Sequence, residues 1–165
     1  MRAGKLIQKL LSFVLFLVIL AVFVRIVFIV KVTGNSMNPG LTDGDWMFTI
    51  PIKEIAYGDI VITTEHISYG ESIIKRVIAL EGDVVELDTM SGILTVNGEA
   101  LDEPYIAEKT AVCGDITFPY TVPDGCAFLL GDNRNHSVDS RFQEVGSIPL
   151  EQIERKMIKK IEKPV

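Results

Sequence analysis

The 165-residue chain has two cysteines, two histidines and one tryptophan, and its first 41 residues contain no acid. Each scarcity excludes something. His66 and His136, with no paired ligand spacing, make no zinc motif, and no metal or other cofactor is expected. No Ser-His-Asp arrangement announces itself, and His136 reads as a loop residue. Cys113 and Cys126 bracket a Gly/Pro-containing loop. They suit either a disulfide, worth roughly 3 kcal/mol for a loop of this size, or two free, buried thiols. Basic residues are scarce where they would be needed for nucleic acid. Beyond residue 41, 11 Lys+Arg stand against 22 Asp+Glu, a balance of −11. Such a body cannot neutralise phosphates, which excludes nucleic acid as a partner. No repeat or low-complexity segment is present.

What is there is distributed unevenly. Residues 1–41 carry Arg2, Lys5, Lys9, Arg25 and Lys31, a balance of +5. Between them runs Leu10 to Val24, apolar except for Ser12, then Arg25, then apolar Ile26 to Val30. Fifteen residues are short for a span of about 20, but counting through Val30 gives 21. Arg25, near the outer end, can snorkel to the headgroups. No small-x-small cleavage site follows, because the next residues are Lys31, Val32 and Thr33. The run therefore reads as an uncleaved anchor in the lipid bilayer rather than a removed signal. With the basic residues ahead of it, residues 1–9 are expected in the cytoplasm, 10–30 in the membrane and 31–165 outside the cytoplasm.

The body reads as β-rich. Trp46–Ile50, Asp59–Thr64, Ser72–Leu80, Val84–Leu87, Ile93–Val96 and Ala127–Leu130 are strand-like runs punctuated by Gly, Asp and Pro, with Asn97-Gly98 as a hairpin-type turn. The fold class that follows is mostly β: a single N-terminal transmembrane helix plus an all-β, partly closed barrel-like domain. The segment from Leu150 to Lys163 fits a helical stripe or an edge strand equally.

Chemistry concentrates in Gly34-Asn35-Ser36-Met37-Asn38-Pro39-Gly40-Leu41, a turn that can expose the Ser36 hydroxyl just beyond the apolar run. A serine nucleophile needs a base, and the candidates are the two histidines, a carboxylate or a lysine made neutral by burial. In a strand over 72–80, Ile73, Lys75, Val77 and Ala79 share one face. An apolar face strips an amine of solvation and lowers its pKa from about 10.4. Arg76 lies on the other face and cannot deprotonate. Lys75 as an edge-strand charge opposing aggregation remains an alternative. A third polar cluster, Gly131-Asp132-Asn133-Arg134-Asn135-His136-Ser137-Val138-Asp139-Ser140-Arg141, reads as a hydrogen-bonded loop with Asp139 and Arg141 paired. It can also orient a base, with Ser137 bonding the amine of Lys75.

These three segments, in this order and behind an anchor, resemble type I signal peptidases, the membrane-anchored serine proteases that cut signal peptides from exported preproteins. The resemblance implies Ser36 as nucleophile and source of a backbone oxyanion donor, Lys75 as general base, Ser137 as its orienting partner and Asp139–Arg141 as a supporting ion pair. It further implies a substrate strand beside residues 72–74, with Val32, Leu41, Ile73 and Ile74 lining shallow pockets for small residues one and three positions before the cut (Ala-x-Ala). Some family members have a serine two residues before the nucleophile, where this chain has Gly34. The short body implies that the extra β-domain of larger members is reduced to a hairpin region around 88–125. Three other readings stand beside this one. A self-cleaving repressor-type protease is cytosolic and needs no anchor. A eukaryotic-type signal peptidase would place His where Lys75 stands. A membrane-tethered binding module would not require Lys75.

Overall fold

The computed structural model describes residues 2–64, 70 and 72–161, with the side chains of 2–4, 6, 7 and 22–26 outside that description. His66 and the expected headgroup contact of Arg25 lie outside the described set. Helix α1 (Arg2–Ile26) is 25 residues long, about 37 Å at 1.5 Å per residue. Its large apolar side chains from Leu10 to Leu20 are 44–65% exposed, so nothing among the described residues covers them. Among the described residues no helix is long and apolar enough to cross a membrane.

The expected 10–30 span is not one helix. Phe28–Lys31 form strand β1, paired antiparallel with β2 (Trp46–Pro51) from Phe28↔Thr49 to Lys31↔Trp46. The run Phe28-Ile29-Val30 is β-prone, and the β2 ladder takes up its backbone donors. The β body therefore begins three residues earlier than the hydropathy boundary.

The remaining strands are β3 (Ile60–Thr63), β4 (Ile74–Leu80), β5 (Val84–Asp88), β6 (Ile93–Val96), β7 (Glu99–Ala100), β8 (Tyr120–Thr121), β9 (Cys126–Leu130), β10 (Ile148–Pro149) and β11 (Ile153–Ile161). They build a seven-stranded half-barrel sheet ordered β1-β2-β11-β3-β4-β9-β10 and a four-stranded sheet ordered β7-β6-β5-β8. The C-terminal segment is thus a strand, and not at an edge. β11 fills the gap between β2 and β3, with a bulge between Met157 and Lys159. A helical stripe of Ile153, Met157 and Ile161 loses to two open strand edges that β11 alone can satisfy. The region expected as a hairpin around 88–125 contributes to a whole second sheet.

β9 separates two cores. Leu129 and Ala127 pack with Val61, Val77 and Ile148, while Phe128 and Leu130 pack with Ile78, Val85 and Leu94. That is the period-two alternation of a strand buried on both faces. A third cluster, Val32, Met37, Leu41, Met47, Ile60 and Ile62, lies under the turn that carries Ser36. Cys113 and Cys126 are half-buried free thiols packed against the second core. Burial, followed by the nearby carboxylates of Asp124 and Glu81, pushes the Cys126 thiol above its ordinary pKa.

Candidate active site

Ser36 sits on a turn held from both ends. The Asn38 N–H donates to Asn35 O at 3.1 Å and the Leu41 N–H to Met37 O at 2.9 Å. The Gly34 N–H donates to the Asp43 carboxylate at 2.8 Å. Gly34 has φ +86°, a left-handed conformation that glycine takes without strain, so no side chain stands here to donate to an oxyanion. Met37 and Leu41, each 1% exposed, root the turn in the third core. From the other side, the Asn133 N–H donates to Ser36 O at 2.9 Å and Asn133 Nδ2 to Asn35 O at 3.0 Å.

Lys75 comes from β4, opposite Val61 of β3. It lies between Ile73 and Val77 of the first core and is 4% exposed. The face does not run on to Ala79, because a register shift against β9 between Val77 and Ala79 turns Ala79 into the second core. Lys75 Nζ lies 2.9 Å from Ser36 Oγ and donates to Ile74 O at 3.2 Å. Burial lowers the Lys75 pKa from 10.5 to about 8; Asp139 and Asp132 pull it back up and Arg141 pushes it down. A neutral amine within hydrogen-bond reach of a hydroxyl is the geometry of a general base and its nucleophile.

Behind the pair lies a buried polar loop. Asp139 and Arg141, both 0% exposed, form a fork-to-fork ion pair at 2.8 and 2.9 Å. Asp139 also accepts the Gly131 N–H at 3.0 Å, and Arg141 donates to Arg134 O at 2.6 Å. Ser137 Oγ is buried and has no hydrogen-bond partner. The expected bond from Ser137 to Lys75 is therefore not formed here.

A cleft of about 490 Å³ opens in front of the pair, walled by residues 30–37 on one side and 72–75 on the other. Val32, Ile73 and Ile74 line it as expected; Leu41 does not, because it is sealed in the core beneath. Val30, Met37, Ile62 and His136 line it without having been expected to. A slightly larger depression, about 550 Å³, lies among Ile50, Pro51, Lys53, Glu54 and Lys156. No nucleophile–base pair lines it, so the chemistry points to the smaller cleft. Among the described residues no group of His, Cys, Asp and Glu could hold a metal ion.

Sequence reasoning missed three partners. Arg76 forks onto Asp132 at 2.7 and 2.6 Å, Arg134 forks onto Glu103 at 2.6 and 3.1 Å, and Tyr105 lies against both guanidiniums. Arg76, Asp132 and Arg134 were inside the polar segments. Glu103-Pro104-Tyr105 offered no signal beyond a proline-marked loop.

Comparison with known proteins shows the family. The family model described as "Signal peptidase, peptidase S26" matches residues 7–159. A signal peptidase I of Bacillus licheniformis is 36% identical over 125 residues, covering 67% of this chain, and this chain spans 63% of that relative's length. A signal peptidase I of Bacillus caldolyticus is 36% identical over 137 residues, covering 74% of this chain and 72% of its own. Among solved structures, a signal peptidase I from Enterococcus faecalis matches with a TM-score of 0.54 at 30% identity, covering 66% of this chain and 99% of that one.

Proposed function

The chain belongs to the signal peptidase family, peptidase S26, and on that premise we propose that it is a membrane-bound serine endopeptidase. Its reaction is removal of N-terminal signal peptides from exported preproteins after small-x-small sites such as Ala-x-Ala. The observation that carries this reading is the 2.9 Å contact between Ser36 Oγ and the buried Lys75 Nζ, with the amine's pKa brought down to about 8 by burial.

The neutral amine of Lys75 takes the Ser36 Oγ proton as Oγ attacks the scissile carbonyl carbon. The developing oxyanion is stabilised by backbone N–H groups at the turn, Ser36's own among them, since Gly34 offers no hydroxyl. The tetrahedral intermediate collapses by breaking the C–N bond, and the Lys75 ammonium returns its proton to the leaving amine. Lys75 then deprotonates a water, which attacks the Ser36 ester; the acyl C–Oγ bond breaks, the Lys75 ammonium returns its proton to Ser36 Oγ, and the signal peptide leaves with its new carboxyl terminus. Asp139 and Arg141 hold the loop behind the amine. Ser137, buried and unbonded at rest, takes up the amine when Lys75 turns from Ser36 to the water.

The substrate backbone adds as a strand along the cleft between residues 30–34 and 72–74. Val32, Ile73 and Ile74 leave room for small side chains. The exposed apolar surface of α1 is the membrane anchor, with the basic residues before it on the cytoplasmic side and the β body outside. Sharing the bilayer with its substrates raises their effective concentration.

The test is mass mapping of the products from a preprotein bearing an Ala-x-Ala site. Wild type cuts after the second alanine and Ser36→Ala leaves the preprotein intact. Cleavage retained in Ser36→Ala would assign the nucleophile elsewhere.

A further inference from the structure

We propose that the segment 101–106 is a clamp, in which Glu103 and Tyr105 act as positioning residues that hold the two halves of the Ser36/Lys75 pair together. The inference rests on the dyad reading above.

The segment follows β7 at the edge of the second sheet and reaches across to the first. Glu103 meets Arg134 with two hydrogen bonds, at 2.6 and 3.1 Å, and their side chains are 8% and 0% exposed. A buried guanidinium is costly unless its charge is matched and its donors are used. Arg134 spends a third donor on Gly131 O at 3.1 Å, which closes the turn 131–134. That turn carries the Asn133 N–H bonded to Ser36 O, so the grip on Arg134 is a grip on the nucleophile's backbone.

Tyr105 holds the other half. Its ring lies 4.0 Å from the Arg76 guanidinium and 6.0 Å from that of Arg134, and its hydroxyl donates to Glu103 at 3.2 Å. Packed against Arg76 and Glu103, the Tyr105 phenol is pushed up to about 12, burial first and the Glu103 charge second. It therefore stays a neutral donor through the working range. Arg76 is the residue after Lys75, and its fork onto Asp132 ties β4 to the same turn. Nucleophile and base thus hang from adjacent guanidiniums bracketed by one ring and one carboxylate. The segment does not line the cleft, so it orients the pair without touching substrate.

The test uses the full chain and an Ala-x-Ala peptide, with kcat and KM measured separately across pH. Glu103→Gln keeps the shape and removes the charge. Tyr105→Leu removes the ring, and Tyr105→Phe keeps it. Glu103→Gln and Tyr105→Leu should each lower kcat roughly ten- to hundredfold, with KM within about twofold of wild type. Tyr105→Phe should stay within about threefold, since only the weak hydroxyl bond is lost. The acidic limb should also move to higher pH in the two damaging variants, because a loosened pair readmits water to Lys75. The charged groups that most affect Lys75 are Asp139, Arg141 and Asp132, Lys31 and His136 line the same cleft, and loss of a carboxylate can only lower a lysine pKa. The shift therefore reports geometry rather than the lost carboxylate.

Unchanged kcat in the folded variants, or a raised KM at constant kcat, overturns the clamp. If Glu103→Gln does not fold, the tyrosine pair decides, and equal losses in Tyr105→Leu and Tyr105→Phe overturn it. Wild-type activity in Ser36→Ala overturns the dyad and the clamp with it, whereas the other contrary results overturn the clamp alone.

Discussion

Lys75 works against the stability of its own fold. Lowering its pKa from 10.5 to about 8 corresponds to roughly 3 kcal/mol of unfavourable charge burial at neutral pH. Below the folded pKa both native and unfolded chains hold the proton, and the native state bears the full cost. Between about 8 and 10.5 the unfolded chain binds a proton that the native one does not, so stability rises with pH. Above that window the cost is gone. Lys75→Met should therefore be inactive yet more stable than wild type at pH 7, by up to about 3 kcal/mol, with the advantage fading by about pH 11. Urea unfolding at both pH values measures this. A variant no more stable at pH 7 would mean that the amine is not desolvated. Ser137→Ala belongs beside it: with Ser137 Oγ unbonded at rest, the variant should fold normally and lose about tenfold in kcat, within the span expected of one positioned group. Wild-type turnover in Ser137→Ala would remove that hydroxyl from the reaction.

At the scale of elements, the turn after β9 is a narrow fit beside the nucleophile. A Cβ on Gly131 would fall on Ser137 Oγ and within 2.5 Å of Ser36 O. Gly131→Ala should push the 131–137 loop away from the nucleophile, costing about 1–3 kcal/mol of stability and most of the activity. Thermal unfolding together with peptide cleavage checks it, and an active, unperturbed Gly131→Ala would show that the loop has slack. The strands were legible because their signals are local. Ile60-Val61-Ile62 and Ser72 to Leu80 announce themselves by β-branched runs, and the observed strands fall within a residue or two. Ser36, Lys75 and the Asp139–Arg141 pair were legible because each sits in a short segment with a chemical signature. What depends on distant pairing was not. Hydropathy cannot see that Phe28–Val30 leave the helix, because an apolar run looks alike in a membrane helix and a strand. The strand identity of 153–161 depends on the free edges of β2 and β3. Glu103 and Tyr105 owe their roles to Arg134 and Arg76, which lie 31 and 29 positions away in sequence.

For the whole molecule, the charge split is the dominant fact, +5 over residues 1–41 and −11 over the rest. On the anchoring proposed above, a basic N-terminus ahead of an acidic β domain favours one orientation across a bilayer. Protease added outside spheroplasts should digest the β domain and leave a short N-terminal fragment; protection of the β domain would reverse the orientation. The proposed role of Lys75 as the base for Ser36 rests on burial making its amine neutral above about pH 8. It is tested most directly by kcat/KM for an Ala-x-Ala peptide from pH 5 to about 11, in wild type and Lys75→Arg. The wild-type acidic limb is expected near the lowered lysine value of about 8, with rates falling as the amine becomes charged, and almost no activity is expected in Lys75→Arg at any pH. Substantial activity in Lys75→Arg, or a wild-type limb near the ordinary histidine value of about 6.5, would contradict it and direct attention to His136 in the same cleft.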